Sequence, residues 1–486
     1  MNHQLPAGAM YIQAAGVTTA LLAGVGVSLV AILRAAERSV GLAPPTAAML
    51  ASEVHSNLPL FRHFPHIKEH LAWRELGDFP TPVHRASIRN GGVQFQVKRE
   101  DLASPIYGGN KVRTLQHQLA VCESRLAAAA PGSAEHARLR RIAVVGSGGS
   151  NQVVASLAHA GKHLPKLEAL WVAPDEPDLD NTLNMLSTLS LPNLGGYATS
   201  MGAAASLVAR LRSGVVVTLG GNAPSGVLGH ASAAIELAEQ IEKGDADAID
   251  DIYLAVGSSC TISGLVVGIA LSRHLGLSAY DSPTFALHGV IIHHLFAGLE
   301  RSLPMHRRFT VMPLTIGHTV RAACAALASV GGPDVTDVAL GIVRDTVKLR
   351  TDADLVGVYG AHSEISRAAS REYDATGAVS DRGGTPAQPL WLCGHFVAKA
   401  FAAMLADLEA SPERRAMLWQ TKSAVQPRGS EDEWAKMQTM PSAVHAWADD
   451  GEAESSLRPG SVRLAGGSPD DYRGLMTQVE VGAGVD

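Results

Sequence analysis

The sequence predicts an α/β protein built on a largely parallel sheet. Two observations carry this. From about Leu76 to Gln426, short aliphatic runs alternate with stretches of helical period. Turns rich in Gly and Ser also stand between several of those runs and the helices that follow them. Composition agrees: of 486 residues, 46% are hydrophobic and 18% charged, which suits a folded chain with a core large enough for one or two domains. Aromatics make up only 5%, so aliphatic and small side chains must fill that core.

In chain order, the first feature is residues 14–33, an uncharged run of Ala, Val, Leu and Gly. It meets the roughly 20-residue length of a membrane-spanning helix. A cleaved leader needs a basic start, and residues 1–13 contain neither Lys nor Arg. A buried helix is the plainer alternative, because so many of these residues are Ala, Gly and Thr. The expectation is a single-pass anchor in residues 1–40, with Arg34 and Arg38 keeping the rest on the cytoplasmic side. Residues 41–75, with Pro44 and Pro45, read as a linker leading into the main domain of residues 76–426.

Within that domain RIAVV (141–145) reads as a strand, 146–151 as a Gly-rich turn and 153–163 as a helix. Residues 167–173 form the next strand. VVVTL (215–219) then enters a Gly-Gly turn and a helix over 226–242. Residues 252–256 form a strand that enters Gly257-Ser258-Ser259-Cys260-Thr261 and another helix, and 285–292 is again strand-like. Residues 427–486 are rich in Gly, Ser, Asp and Glu and are expected to form a polar tail without a core of its own.

Several function classes are disfavoured at once. The net charge of −6 argues against nucleic-acid binding through a basic surface. Cys122, Cys260, Cys324 and Cys393 form no C-x-x-C, and no H-E-x-x-H is present, so neither a disulfide framework nor a metal site is expected. No Walker A loop and no full G-x-G-x-x-G occurs. The Gly- and Ser-rich turns still place free N–H groups at helix starts, where a phosphate or carboxylate is favoured.

The order of motifs is more specific than any single turn. Phe79-Pro80-Thr81-Pro82-Val83 is followed by Val97-Lys98-Arg99-Glu100-Asp101 and then Gly108-Gly109-Asn110-Lys111-Val112-Arg113. Next come Gly149-Ser150-Asn151-Gln152, the stretch from Gly220 to Gly229, and the stretch from Gly257 to Leu265. This succession resembles the fold-type II pyridoxal-phosphate enzymes, and most of all the branch of 1-aminocyclopropane-1-carboxylate deaminase and D-cysteine desulfhydrase. The resemblance implies a tryptophan-synthase-β-like fold of two open parallel-sheet domains, the smaller (about 112–212) inserted in the larger. It also implies pyridoxal 5′-phosphate as cofactor, a small amino acid as substrate and a homodimer.

Carried over by resemblance, Lys111 is the lysine that bonds covalently to the cofactor. Asn110 and Asn151 lie near the cofactor ring, with Asn151 at its phenolic oxygen. Ser150, Asn151 and Gln152 hold the substrate carboxylate, and Ser150 is also tied to proton or nucleophile chemistry. Its simpler reading is a helix cap. Gly257, Ser258, Ser259, Cys260 and Thr261 form the phosphate cup. Tyr359 is a candidate acid or base, with a buried core tyrosine as the alternative. Thr421 is left to meet the pyridine nitrogen.

The pattern is broken in places. Where the family has L-D-P-V-Y-T-G-K-A, this chain has Leu392-Cys393-Gly394-His395-Phe396-Val397-Ala398-Lys399-Ala400, which removes a hydroxyl at Phe396 and a polar group at Val397. The family's H-T-G-G is Gln420-Thr421-Lys422-Ser423, and His230 replaces an aromatic. The expected function is a deaminase or desulfhydrase giving a 2-oxo acid and ammonia, plus sulfide from D-cysteine. The alternative is a membrane-tethered scaffold that keeps the fold without turnover, or another reaction of the fold such as racemisation.

Overall fold

The computed structural model describes residues 38–425, except 53–57, 148, 173–183, 186, 190, 218, 293–311, 358–361, 395 and 424. Among the described residues, eleven strands form two sheets. They are β1 (Val83–Ile88), β2 (Val93–Lys98), β3 (Ile142–Ser147), β4 (Leu167–Val172), β5 (Leu194–Thr199), β6 (Val215–Val217), β7 (Asp251–Val256), β8 (Ala286–Ile291), β9 (Val347–Arg350), β10 (Ala378–Ser380) and β11 (Ala416–Trp419).

The larger sheet has the order β10-β1-β2-β11-β7-β8-β9, and the smaller has β5-β4-β3-β6. In the larger sheet β1 runs antiparallel to both β10 and β2, and the remaining neighbours are parallel. All pairs of the smaller sheet are parallel. The α/β architecture with parallel sheets is therefore as the sequence predicts. Short all-aliphatic runs such as VVV in β6, buried at every position, suit strands covered on both faces by helices.

The helices follow from local signals. The helix Pro224–Lys243 starts with Pro in its first turn and stops at Gly244, whose φ of 78° is the left-handed cap that glycine adopts without strain. The helix Asn151–His159 is capped by Ser150, whose hydroxyl oxygen accepts from the Gln152 N–H. Ahead of β1, Leu58, Leu60, Phe61, Phe64, Ile67, Leu71 and Trp73 are buried and join the core beneath the Pro224–Lys243 and Cys260–His274 helices.

The topology decides where a ligand can sit. Strands β2, β11 and β7 are mutually parallel, so the turns after them leave the sheet along one edge. In parallel sheets, ligands bind outside the carboxyl ends of the strands.

The expected membrane location is corrected here. No helix among the described residues is long and apolar enough to cross a membrane. Residues 14–33, on which that expectation rested, lie outside the described residues, as do Tyr359 and the tail of residues 427–486.

Candidate active site

Five chain segments converge around Lys111. The Gly108-Gly109-Asn110 turn opens the helix Lys111–Ala128. At Gly109, φ is +90°, and a side-chain carbon there would stand 2.6 Å from the Thr421 carbonyl oxygen. That close approach is what the Gly-Gly pair permits. The segment after β11 packs on it: Asn110 N–H donates to the Thr421 carbonyl at 3.2 Å, and Gly108 N–H donates to the Ser423 hydroxyl at 3.0 Å.

Opposite lies the turn after β6. Lys111 Nζ donates to the Gly220 carbonyl at 3.3 Å. Gly220 has φ +62°, and a methyl there would overlap the Ser258 hydroxyl. Asn222 Nδ2 donates to the Ser258 carbonyl at 2.7 Å and to Ser259 Oγ at 3.0 Å, which ties this turn to the loop after β7. That loop caps the helix Cys260–His274 with Ser259 in the left-handed region at φ 65°.

Lys111 remains partly exposed, yet its amine sits deep enough that burial lowers its pKa below the ordinary lysine value, with the Cys260 thiol acting in the opposite direction. A neutral amine is the nucleophilic form. Below it, His230 is fully buried, with Nε2 3.0 Å from Thr114 Oγ1 and 3.4 Å from Thr261 Oγ1. Burial first, then the Lys111 and Arg113 charges, hold that imidazole neutral.

Some sequence-assigned groups are turned elsewhere. The Cys260 thiol is directed at the Gly221 carbonyl, 3.5 Å away, and burial pushes it up to about 11. Only its backbone is left to face a ligand. The Asn110 amide donates to Thr261 Oγ1 at 2.8 Å, so it braces the Lys111 turn against the Cys260 helix. Ser150, as noted, caps its helix. Gln152 is buried against Ser156, 3.4 Å from its hydroxyl. Tyr359 lies outside the described residues.

The structure adds residues that motif reading did not assign. Lys422 Nζ meets Asn151 Oδ1 at 3.2 Å and Asn184 Oδ1 at 2.9 Å. The Tyr107 hydroxyl donates to the same Asn151 oxygen at 3.0 Å. Lys422 was visible as a departure from H-T-G-G and Tyr107 as the neighbour of the Gly-Gly turn, but Asn184 carries no local signal.

The K-R-E-D motif is structural support. Arg113 donates to Glu100 Oε2 at 2.7 Å and to Glu236 Oε1 at 2.8 Å, and Lys98 Nζ donates to the same Glu236 oxygen at 2.6 Å, all buried. Burial alone would raise the Glu236 carboxyl, but Arg113 and Lys98 bring it down to about 2. Among the described residues no group of three or more His, Cys, Asp or Glu stands close enough to hold a metal ion.

The family model for pyridoxal-phosphate dependent enzymes matches residues 74–362, more than half of the chain. The chain belongs to the pyridoxal-phosphate dependent enzyme family. Its cofactor is pyridoxal 5′-phosphate. The residues present fit that group. A lysine amine whose pKa burial lowers stands beside a helix start whose backbone is opened by Gly257 and Gly220. The buried polar atoms Asn222 Oδ1, Gln118 Oε1, Gln152 Oε1 and His230 Nδ1 have no hydrogen-bond partner among the described residues.

Similar proteins include a nocardicin C-9′ epimerase of Nocardia uniformis subsp. tsuyamanensis, 31% identical over 187 residues, 36% of this chain and 53% of that one. A mitochondrial bifunctional D-cysteine desulfhydrase/1-aminocyclopropane-1-carboxylate deaminase of Arabidopsis thaliana is 26% identical over 211 residues, 40% of this chain and 50% of that one. The chain spans about half the length of these curated relatives. A crystal structure of a 1-aminocyclopropane-1-carboxylate deaminase homologue covers 74% of this chain and 94% of its own, at 20% identity and a TM-score of 0.48.

Proposed function

We propose that this pyridoxal-phosphate enzyme is a lyase of the deaminase or desulfhydrase kind. Its substrate is a small amino acid, and its products are a 2-oxo acid and ammonia, with sulfide when the substrate is D-cysteine. The observation that carries the reading is the half-buried Lys111 amine, held at the Gly220 carbonyl beside the loop that opens the Cys260 helix. The name of the Arabidopsis thaliana relative points the same way.

When bound, the cofactor supplies an electron sink for a substrate carbon that loses a proton. The chain does the rest. Lys111 is the covalent anchor and the base that takes the proton from the substrate's Cα, because burial favours its neutral form. The backbone of residues 257–261, with the Ser258, Ser259 and Thr261 hydroxyls, holds the phosphate. The backbone of Ser150, Asn151 and Gln152 holds the substrate carboxylate at the start of the Asn151–His159 helix, where the helix end favours an anion. Thr421 takes the pyridine nitrogen, since buried Val397 offers no hydrogen bond there. Tyr359 serves as a second acid or base, and the working form is a homodimer.

The test is to purify the chain with pyridoxal phosphate and add D-cysteine and 1-aminocyclopropane-1-carboxylate in turn, following the visible band, 2-oxo acid and sulfide. A band that shifts and yields 2-oxo acid supports the reading. Inverted amino acid without 2-oxo acid would replace elimination by racemisation. A band that no amino acid perturbs would sink the lyase assignment.

A further inference from the structure

Lys422 stands where the resemblance leads one to expect a small residue, and it is buried. Its Nζ donates to Asn184 Oδ1 at 2.9 Å and to Asn151 Oδ1 at 3.2 Å, with the Tyr107 hydroxyl at 3.5 Å and the Trp391 ring centre at 4.8 Å. An ammonium only donates, so the atom that each asparagine turns toward it must be the carbonyl oxygen. Asn151 Oδ1 also accepts from the Tyr107 hydroxyl at 3.0 Å and from Asn184 Nδ2 at 2.7 Å. Asn184 is itself anchored by donating to the Gly149 carbonyl at 2.7 Å. Turning the Asn151 amide over would put its N–H2 against a cation and two further donors. Its oxygen is therefore committed to the protein, and its nitrogen is the end left to donate. These contacts let Lys422 orient the neighbouring amides.

The cofactor's polar atoms next to its reactive carbon are oxygens, which need donors. A carbonyl presented there would repel them, and an N–H2 would bind them.

We propose that Lys422 is a positioning residue that locks the Asn151 amide with its N–H2 offered to the cofactor, and so keeps the cofactor's phenolic oxygen in its anionic form. This rests on the reading above that Lys111 carries the cofactor and Asn151 meets its ring.

The test uses the full chain loaded with pyridoxal phosphate and titrates its visible absorbance against pH for the wild type, Lys422→Met, Asn151→Ala and the double variant. With the amide released, the phenolic oxygen loses a donor and the chromophore holds its proton more tightly. Lys422→Met is expected to raise the titration midpoint by about one unit, tenfold in proton affinity. The same change made on top of Asn151→Ala is expected to leave the midpoint where Asn151→Ala put it. An equal shift in both backgrounds would mean that the charge acts directly, and no shift in either would mean that it does not act; both overturn the proposal. If Lys422→Met does not fold, Lys422→Gln replaces it, keeping an N–H donor without the charge. A midpoint near the wild type's then supports positioning, and a full-unit rise overturns it. A wild type with no visible band is a different failure, because it overturns the Lys111 assignment and this inference with it.

Discussion

Lys111 Nζ stands 3.3 Å from the carbonyl oxygen of Gly220, a residue 109 positions further along the chain. The contact joins the helix that starts at the edge of the larger sheet to the turn that leaves the smaller one. A reactive amine is thereby aimed by backbone, not by a flexible partner.

Lys111→Ala is expected to abolish the visible band of the lysine-bound cofactor and to lower turnover by on the order of 10³-fold or more, as loss of a nucleophile does. Circular dichroism is expected to stay that of the wild type, since the Lys111 side chain closes no part of the core. A variant that keeps the band unchanged would remove Lys111 from the mechanism.

Gly220→Ala is expected to damage cofactor binding more than folding. The residue adopts φ +62°, which disfavours any side chain, and the added methyl would press on the Ser258 hydroxyl and stand 3.4 Å from Lys111 Nζ. A loss of cofactor affinity of about tenfold, roughly 1.4 kcal/mol, is the expected size. It is read by titrating the apoenzyme with pyridoxal phosphate.

Glu236→Gln leaves Lys98 and Arg113 buried with a charge less between them. Breaking such a buried pair typically costs about 3–5 kcal/mol. The exposed pair Arg344–Asp345 is the control, because surface pairs contribute little. Urea unfolding is expected to show a large drop in midpoint for Glu236→Gln and almost none for Arg344→Ala.

Acid is expected to destabilise the fold in two stages. His159 is buried against the Tyr107 carbonyl at 2.8 Å, and burial pushes its pKa from 6.5 down to about 4. The unfolded chain binds that proton first, so the contribution is complete above pH 6.5 and is lost as pH falls toward 4. Glu236 is lowered from 4.5 to about 2, so its contribution is complete above pH 4.5 and is lost as pH falls toward 2. Each amounts to on the order of 3 kcal/mol. His159→Gln is expected to make the first stage shallower, with His230 and His84 carrying the remainder. An unchanged stability profile between pH 6.5 and 4 would show that His159 does not carry it.

The sequence by itself determined the class of fold and the cofactor. Alternating aliphatic runs and helical periods are local, and β3, β4, β6 and β7 fall where those runs lie because strand and helix formation depend on near neighbours. The motif order from Thr81 to Gly257 carried the family because each motif is a short turn with its own chemistry. Tertiary structure alone decided which side chains of those motifs face a ligand. Cys260 lies inside a motif, yet its thiol is turned to Gly221, 39 residues away. Lys98, Glu100 and Arg113 belong to the motifs as well, and tertiary packing makes them a buried ionic support. Lys422 and Asn151 are 271 residues apart and meet because the segment after β11 packs on the Gly108-Gly109 turn. Such contacts depend on how the two sheets and their helices pack. No local pattern encodes that packing, because each partner's identity is settled only when distant segments close on one another.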